Sequence, residues 1–139
     1  MPRPRVLLAD DHLETAALLR ALLEPHCDIV AVVGDGWSLV SAARRLAPDL
    51  VVSDVSMPDL DGIAAASAIL RQHPAARIVL VTVHDDPAIV ERALAAGALG
   101  YVLKVAAGRD LMPAVRAALR GERHVSEALR VRGAAAGTR

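Results

Sequence analysis

The sequence contains one cysteine, no phenylalanine, one tryptophan and one tyrosine, and it carries no formal net charge at neutral pH. The lone Cys27 excludes an intramolecular disulfide and argues against a cysteine-based metal centre. Zero net charge gives no general pull toward nucleic acid, and two aromatic residues cannot build a base-stacking platform. Although 54% of the residues are hydrophobic, no apolar run approaches the roughly 18 residues that span a bilayer. The amino terminus carries Arg3 and Arg5, but the apolar stretch at 6–9 is too short for the core of a secretory signal. The expectation is one cytoplasmic domain with no membrane partner. At 139 residues, such a chain buries about two-thirds of its unfolded surface around a single core.

What the chain does have is alternation. Short apolar runs at Arg5–Ala9, Asp28–Val33, Leu50–Ser53, 77–81 and Gly100–Leu103 predict strands buried on both faces. Between and after them, Ala/Leu-rich stretches at 13–24, 37–46, 63–72, 88–96 and 109–120 predict helices. In the first of these, Thr15, Leu18, Leu19, Leu22 and Leu23 are expected on the buried face, opposite Glu14, Arg20 and Glu24. Pro25, Pro48, Pro74 and Pro87 stand between elements, and Gly97 follows the fourth helix. The tail at 133–139 is expected to be disordered. Five βα units fit an α/β fold with an open, doubly wound parallel sheet, whose ligands sit outside the carboxyl ends of the strands.

Those ends carry Asp10 and Asp11 after the first strand, Asp54 after the third, Thr82 at the fourth and Lys104 after the fifth. Three converging carboxylates repel by something like 4 kcal/mol per close pair at an effective dielectric near 20, so a cation is expected among them. Oxygen ligands on rigid strand ends suit Mg2+. Asp11 followed by Glu14 fits a helix capping box equally well, which leaves Asp10 unexplained. Asp54 could attack phosphorus if a metal shields it from the incoming anion, or could simply open a turn. Lys104 is the only lysine, every other cation of the sixteen being arginine. A compact ammonium can meet a phosphoryl oxygen as a point charge, where a guanidinium demands a fork. Thr82 offers a hydroxyl donor. The five histidines show no metal-ligand spacing, although His12 and His84 fall on the crevice rim. The arginine-rich stretch at 109–132 reads as a solvated face.

Taken together, Asp10 and Asp11, Asp54 with Met57, Pro58, Asp59 and Gly62, then Thr82, then Gly100, Tyr101, Val102, Leu103 and Lys104 resemble the receiver domain of two-component response regulators. The wording Ala9-Asp10-Asp11-His12 and the run from Gly100 to Lys104 are most similar to receivers with LuxR-type helix-turn-helix outputs. The resemblance implies a flavodoxin-like (βα)5 fold with strand order 2-1-3-4-5, a receiver at 1–120 and a linker-like segment and tail at 121–139. It implies phosphorylation of Asp54 by a phosphohistidine on a sensor histidine kinase, with magnesium held by Asp10, Asp11, Asp54 and the backbone carbonyl of Ser56. It further implies a switching hydroxyl at Thr82, a coupled aromatic at Tyr101 that moves inward on activation, and a phosphoryl contact from Lys104. The readout surface would lie around Ile89, Arg92, Tyr101 and Met112, with phosphorylation-dependent homodimerisation as one outcome and transcription as the controlled output. Such a module supports its own phosphotransfer and autodephosphorylation without being an enzyme. No helix-turn-helix output follows in this chain, and Val105 stands where many receivers place a proline.

Other classes fit less well. A phosphohydrolase working through an aspartyl phosphate, of the haloacid-dehalogenase type, carries a second Asp two positions after the nucleophile, where this chain has Ser56. In a flavodoxin-like electron carrier, Asp10 and Asp11 would repel the phosphate of FMN. A receiver-like module that is never phosphorylated would not need the full set of Asp10, Asp11, Asp54, Thr82 and Lys104.

Overall fold

A computed structural model describes residues 3–127 and 129. The expected tail at 133–139 lies outside the described residues. The strands are β1 (Arg5–Ala9), β2 (Asp28–Val33), β3 (Leu50–Ser53), β4 (Ile78–Thr82), β5 (Gly100–Leu103) and β6 (His124–Val125). The helices are α1 (Leu13–Leu23), α2 (Gly36–Leu46), α3 (Gly62–Gln72), α4 (Pro87–Ala95) and α5 (Ala107–Leu119), with a 3-10 turn at Lys104–Ala106 before α5. The sheet is parallel throughout, in the order β2-β1-β3-β4-β5-β6. This is the expected doubly wound order, extended by one short strand.

The period-two geometry of a strand divides the core in two. Leu7, Ala9, Val51, Ile78, Leu80 and Tyr101 pack on one side with Leu39, Ala43, Ile63, Ala66 and Ile69 from α2 and α3. Val6, Leu8, Leu50, Val52, Val79, Val81 and Val102 pack on the other with Leu19 and Leu23 of α1 and Leu111, Ala114 and Val115 of α5. Every strand residue from Leu50 to Ser53 is buried. A continuous apolar run is therefore what the central strand of such a sheet requires.

Two details differ from expectation. The buried stripe of α1 is Ala16, Leu19 and Leu23, whereas Leu18 is half exposed and Leu13 is 88% exposed. The stripe follows the i, i+3, i+7 positions that meet the sheet, and small Ala16 lets α1 sit close. The sheet also continues beyond residue 120. His124 donates its N–H to the Leu99 carbonyl and Ser126 to the Tyr101 carbonyl, while the Ser126 hydroxyl accepts from Leu103 N–H. Leu129 is buried in the same core cluster as Tyr101.

Candidate functional site

Strand geometry delivers the acidic groups to one place. Ala9 pairs in register with Ser53, so the next residues, Asp10 and Asp54, leave the sheet side by side. Asp54 N–H donates to the Ala9 carbonyl, and Asp10 N–H to the Val33 carbonyl. Both side chains are almost wholly buried. Lys104, one residue past β5, reaches between them, with Nζ 3.0 Å from Asp54 Oδ2 and 3.1 Å from Asp10 Oδ2. Only the contact with Asp54 has hydrogen-bond geometry; Asp10 Oδ2 is buried without a hydrogen-bond partner. Burial pulls the Lys104 ammonium toward deprotonation, but the hydrogen bond to Asp54 and the charges of Asp54 and Asp10 beside it outweigh that pull, leaving its pKa raised.

Asp11 is not spent as a helix cap. The N-cap of α1 is His12, and no side chain caps that helix. Asp10, Asp11 and Asp54 can each aim one carboxylate oxygen into a common space, with His12 at its edge. An oxygen-rich donor set, with Asp10 Oδ2 buried beside Lys104 but making no hydrogen bond, fits a hard divalent cation such as magnesium. Ser56 is exposed on the loop after Asp54, with its N–H 3.3 Å from Asp54 Oδ1.

Thr82 is fully buried at the end of β4. Its Oγ1 accepts the His84 N–H at 3.1 Å, and its own O–H remains a donor. Beside it, Thr82, Val83, Asp85, Leu103, Lys104 and Val105 line a cleft of about 160 Å³. Tyr101 is expected from the sequence to move inward on activation; here its side chain is already fully buried, with the hydroxyl donating to the His84 carbonyl at 2.9 Å. The apolar ring packs in the core while the hydroxyl finds a backbone acceptor, which is the arrangement that makes a buried tyrosine tolerable. Tyr101 is thus not on the surface expected around Ile89, Arg92 and Met112, of which Arg92 is exposed while Ile89 and Met112 are half-buried against the two core clusters, and the outer edge of β5 is covered by β6.

One residue here was not singled out by the sequence. His84 gives its N–H to Thr82, its carbonyl to Tyr101 and its Nε2 to a 2.6 Å contact with Ser56 Oγ. Two of these three links run through its backbone, so no residue type announces them. Its rim position after β4 was the single available signal.

Tyr101 carries a testable consequence. Burial first, and then the charges of Asp85, Asp54 and Asp86, push its hydroxyl up to about 12 against the pull of a hydrogen bond with Thr82. An unfolded tyrosine titrates near pH 10, so above that pH the unfolded chain releases a proton that the folded chain keeps. The contribution is whole below about pH 10 and declines as pH rises toward about 12, by on the order of 2–3 kcal/mol. Denaturant midpoints measured between about pH 9 and 12 should fall steeply in the parent and less steeply in Tyr101→Phe. Lys104, whose pKa is also raised, loses its contribution in the same direction and accounts for a residual slope. Equal slopes in the two proteins would refute the buried-phenol assignment.

Comparison with known proteins bears on this arrangement. Residues 6–116 match the family model described as the response regulator receiver domain. The chain belongs to that receiver family. This receiver is 38% identical over 124 residues to the response regulator GacA of Pseudomonas viridiflava, covering 88% of the chain and 58% of the relative. It is 41% identical over 127 residues to the transcriptional regulatory protein PdtaR of Mycobacterium tuberculosis, covering 91% and 61% respectively. The receiver therefore spans about three-fifths of the length of these curated relatives. Among solved structures, a LuxR-family two-component response regulator from Aurantimonas sp. SI85-9A1 superposes with a TM-score of 0.94 at 33% identity, over 99% of both chains. The LuxR-class likeness suggested by the sequence is thus found in a structural neighbour as well.

Proposed function

We propose that this receiver takes a phosphoryl group from the phosphohistidine of a sensor histidine kinase onto Asp54, with Mg2+ present, and changes its surface to control an output, most simply transcription. The supporting observation is the pairing of Asp54 with Lys104 at 3.0 Å, beside Asp10, where Lys104 and Thr82 also line a neighbouring cleft. In the transfer, the donor's P–N bond breaks as a bond forms from phosphorus to an Asp54 oxygen, and the histidine ring leaves. Lys104 offsets the charge of the arriving group, and the Thr82 hydroxyl donates to one of its oxygens. Asp10, Asp11, Asp54 and the Ser56 carbonyl would hold the magnesium, which supplies charge neutralisation at the phosphoryl oxygens. Hydrolysis of the acyl phosphate by water resets the module, so the reading is a self-dephosphorylating signalling domain, acting in the cytoplasm where the kinase draws on ATP.

The functional unit in this proposal is the receiver at 1–120, its sheet edge closed by β6 and Leu129 from the segment 121–139 that leads toward an output. Leu13, Val83 and Val105 are 88%, 71% and 93% exposed around the crevice, an apolar rim suited to docking the kinase. Homodimerisation is proposed to follow phosphorylation.

Intact mass after incubation with acetyl phosphate tests the reading. One phosphoryl group should be gained with magnesium and none after chelation; equal labelling in both would overturn it. Lys104→Arg should slow labelling by about tenfold or more although charge is kept, because a planar fork cannot replace a point contact between two buried carboxylates. A rate equal to the parent's would show that charge alone suffices.

A further inference from the structure

Among the described residues, Asp10, Asp11, His12 and Asp54 can each bring one ligand atom to within 4.8 Å of all the others. Three of those atoms are carboxylate oxygens. The fourth is an imidazole nitrogen, which the magnesium site proposed above does not use. Asp10 Oδ2, buried and lacking a hydrogen-bond partner, is aimed into the same crevice, where it faces Lys104 Nζ. His12 Nδ1 stands 3.0 Å from Asp11 Oδ1 and 3.6 Å from Asp10 Oδ1, while the His12 backbone N–H donates to Asp10 Oδ1 at 2.8 Å. Adjacent ligands on an octahedral ion with bonds of about 2.1 Å lie roughly 3 Å apart. The Asp11 and His12 atoms therefore already have the spacing of two neighbouring corners. The His12 ring is 67% exposed and makes no cap to α1, so helix initiation does not claim it.

We propose that His12 supplies a nitrogen ligand to the acidic site, so that the chain binds first-row transition ions such as Co2+ more tightly relative to Mg2+ than its carboxylates alone would allow. The inference rests on the acidic site described above and adds a donor to it. Imidazole favours borderline ions along the series from manganese to copper, whereas magnesium prefers oxygen and gives up water reluctantly. Replacing one water in the shell by His12 therefore strengthens cobalt binding and leaves magnesium binding almost unchanged. Lys104 remains the fixed cation on the other side of Asp10 and Asp54, so the ion and the ammonium share the neutralisation of the three carboxylates.

Calorimetric titration of the untagged full chain with CoCl2 and with MgCl2, together with the visible spectrum of bound Co2+, tests this. His12→Asn is the informative variant, since Asn is a favoured N-cap and preserves the start of α1; His12→Ala repeats the comparison without a side-chain oxygen. Loss of the nitrogen donor should weaken Co2+ binding by about tenfold or more, shift the Co2+ spectrum, and leave Mg2+ affinity within about twofold. Unchanged Co2+ affinity and spectrum in both variants would overturn the inference. Asp11→Ala should weaken both ions, and a parent that bound neither would overturn this inference and the magnesium assignment together. A parent that bound Co2+ through His12 but not Mg2+ would sustain the inference and overturn the magnesium assignment alone.

Discussion

Replacing Asp54 by alanine or asparagine is expected to abolish phosphoryl labelling completely while leaving the fold as stable as the parent or more so. The acceptor is lost in either case, since neither side chain can form an acyl phosphate. The stability expectation comes from the crowding at the strand ends. Asp10 and Asp54 are both buried against a single Lys104 ammonium, so removing one carboxylate relieves a like-charge pair and still leaves Lys104 a partner in Asp10. Sites that hold like charges together for function commonly gain stability when one is removed. Asn keeps the shape of Asp and isolates charge from packing; Ala adds a small void. Intact mass and thermal melting of parent, Asp54→Asn and Asp54→Ala together make the check. Labelling that persisted would move the acceptor elsewhere, and a large loss of stability in Asp54→Asn would mean that its ion pair with Lys104 is a structural requirement of the fold.

Gly62→Ala should be the most damaging single-methyl change tested, costing more than about 3 kcal/mol. A Cβ at this position would lie 2.0 Å from the Asp54 carbonyl oxygen, 2.9 Å from its carbonyl carbon and 3.1 Å from Val55 Cα. These are backbone atoms, so no rotamer change relieves the overlap. The Gly62 N–H also donates to the Val55 carbonyl at 2.7 Å, clamping the start of α3 onto the loop that carries the acceptor. The methyl would push Asp54 away from Lys104, so phosphoryl labelling should fall with stability. Gly108, in the first turn of α5, supplies the control: a Cβ there meets nothing within 4 Å. Gly108→Ala should be neutral or stabilising by about 0.5–1 kcal/mol through helix propensity. Urea midpoints for the two variants should move in opposite directions; equal midpoints would mean that the α3 start can shift without strain.

The strands and most of the site were legible for one physical reason. A sheet covered on both faces demands unbroken apolar runs, so the polar residues that interrupt them, Asp10, Asp54, Thr82 and Lys104, stand out at the ends. What the pattern did not carry were contacts made by backbone or decided by tertiary fit. His84 acts through its N–H and carbonyl, which every residue type possesses. Asp11 followed by Glu14 fits a capping box, but the chain enters α1 one residue later, with His12 as the cap position. The inward position of Tyr101 depends on an acceptor supplied by the turn after β4, seventeen residues away. β6, at two residues, is too short to show any period, and it exists because β5 offers unpaired groups along its outer edge.

That last point governs how the chain behaves when shortened. Without His124 to Leu129, the Leu99 and Tyr101 carbonyls and the Leu103 N–H would line an open border beside a strand made of Gly, Tyr, Val and Leu. Such a border is a template for pairing with any extended chain, including another copy. Because the two-residue strand covers that border, versions cut at Arg120 should clump at concentrations where the longer chain stays dispersed.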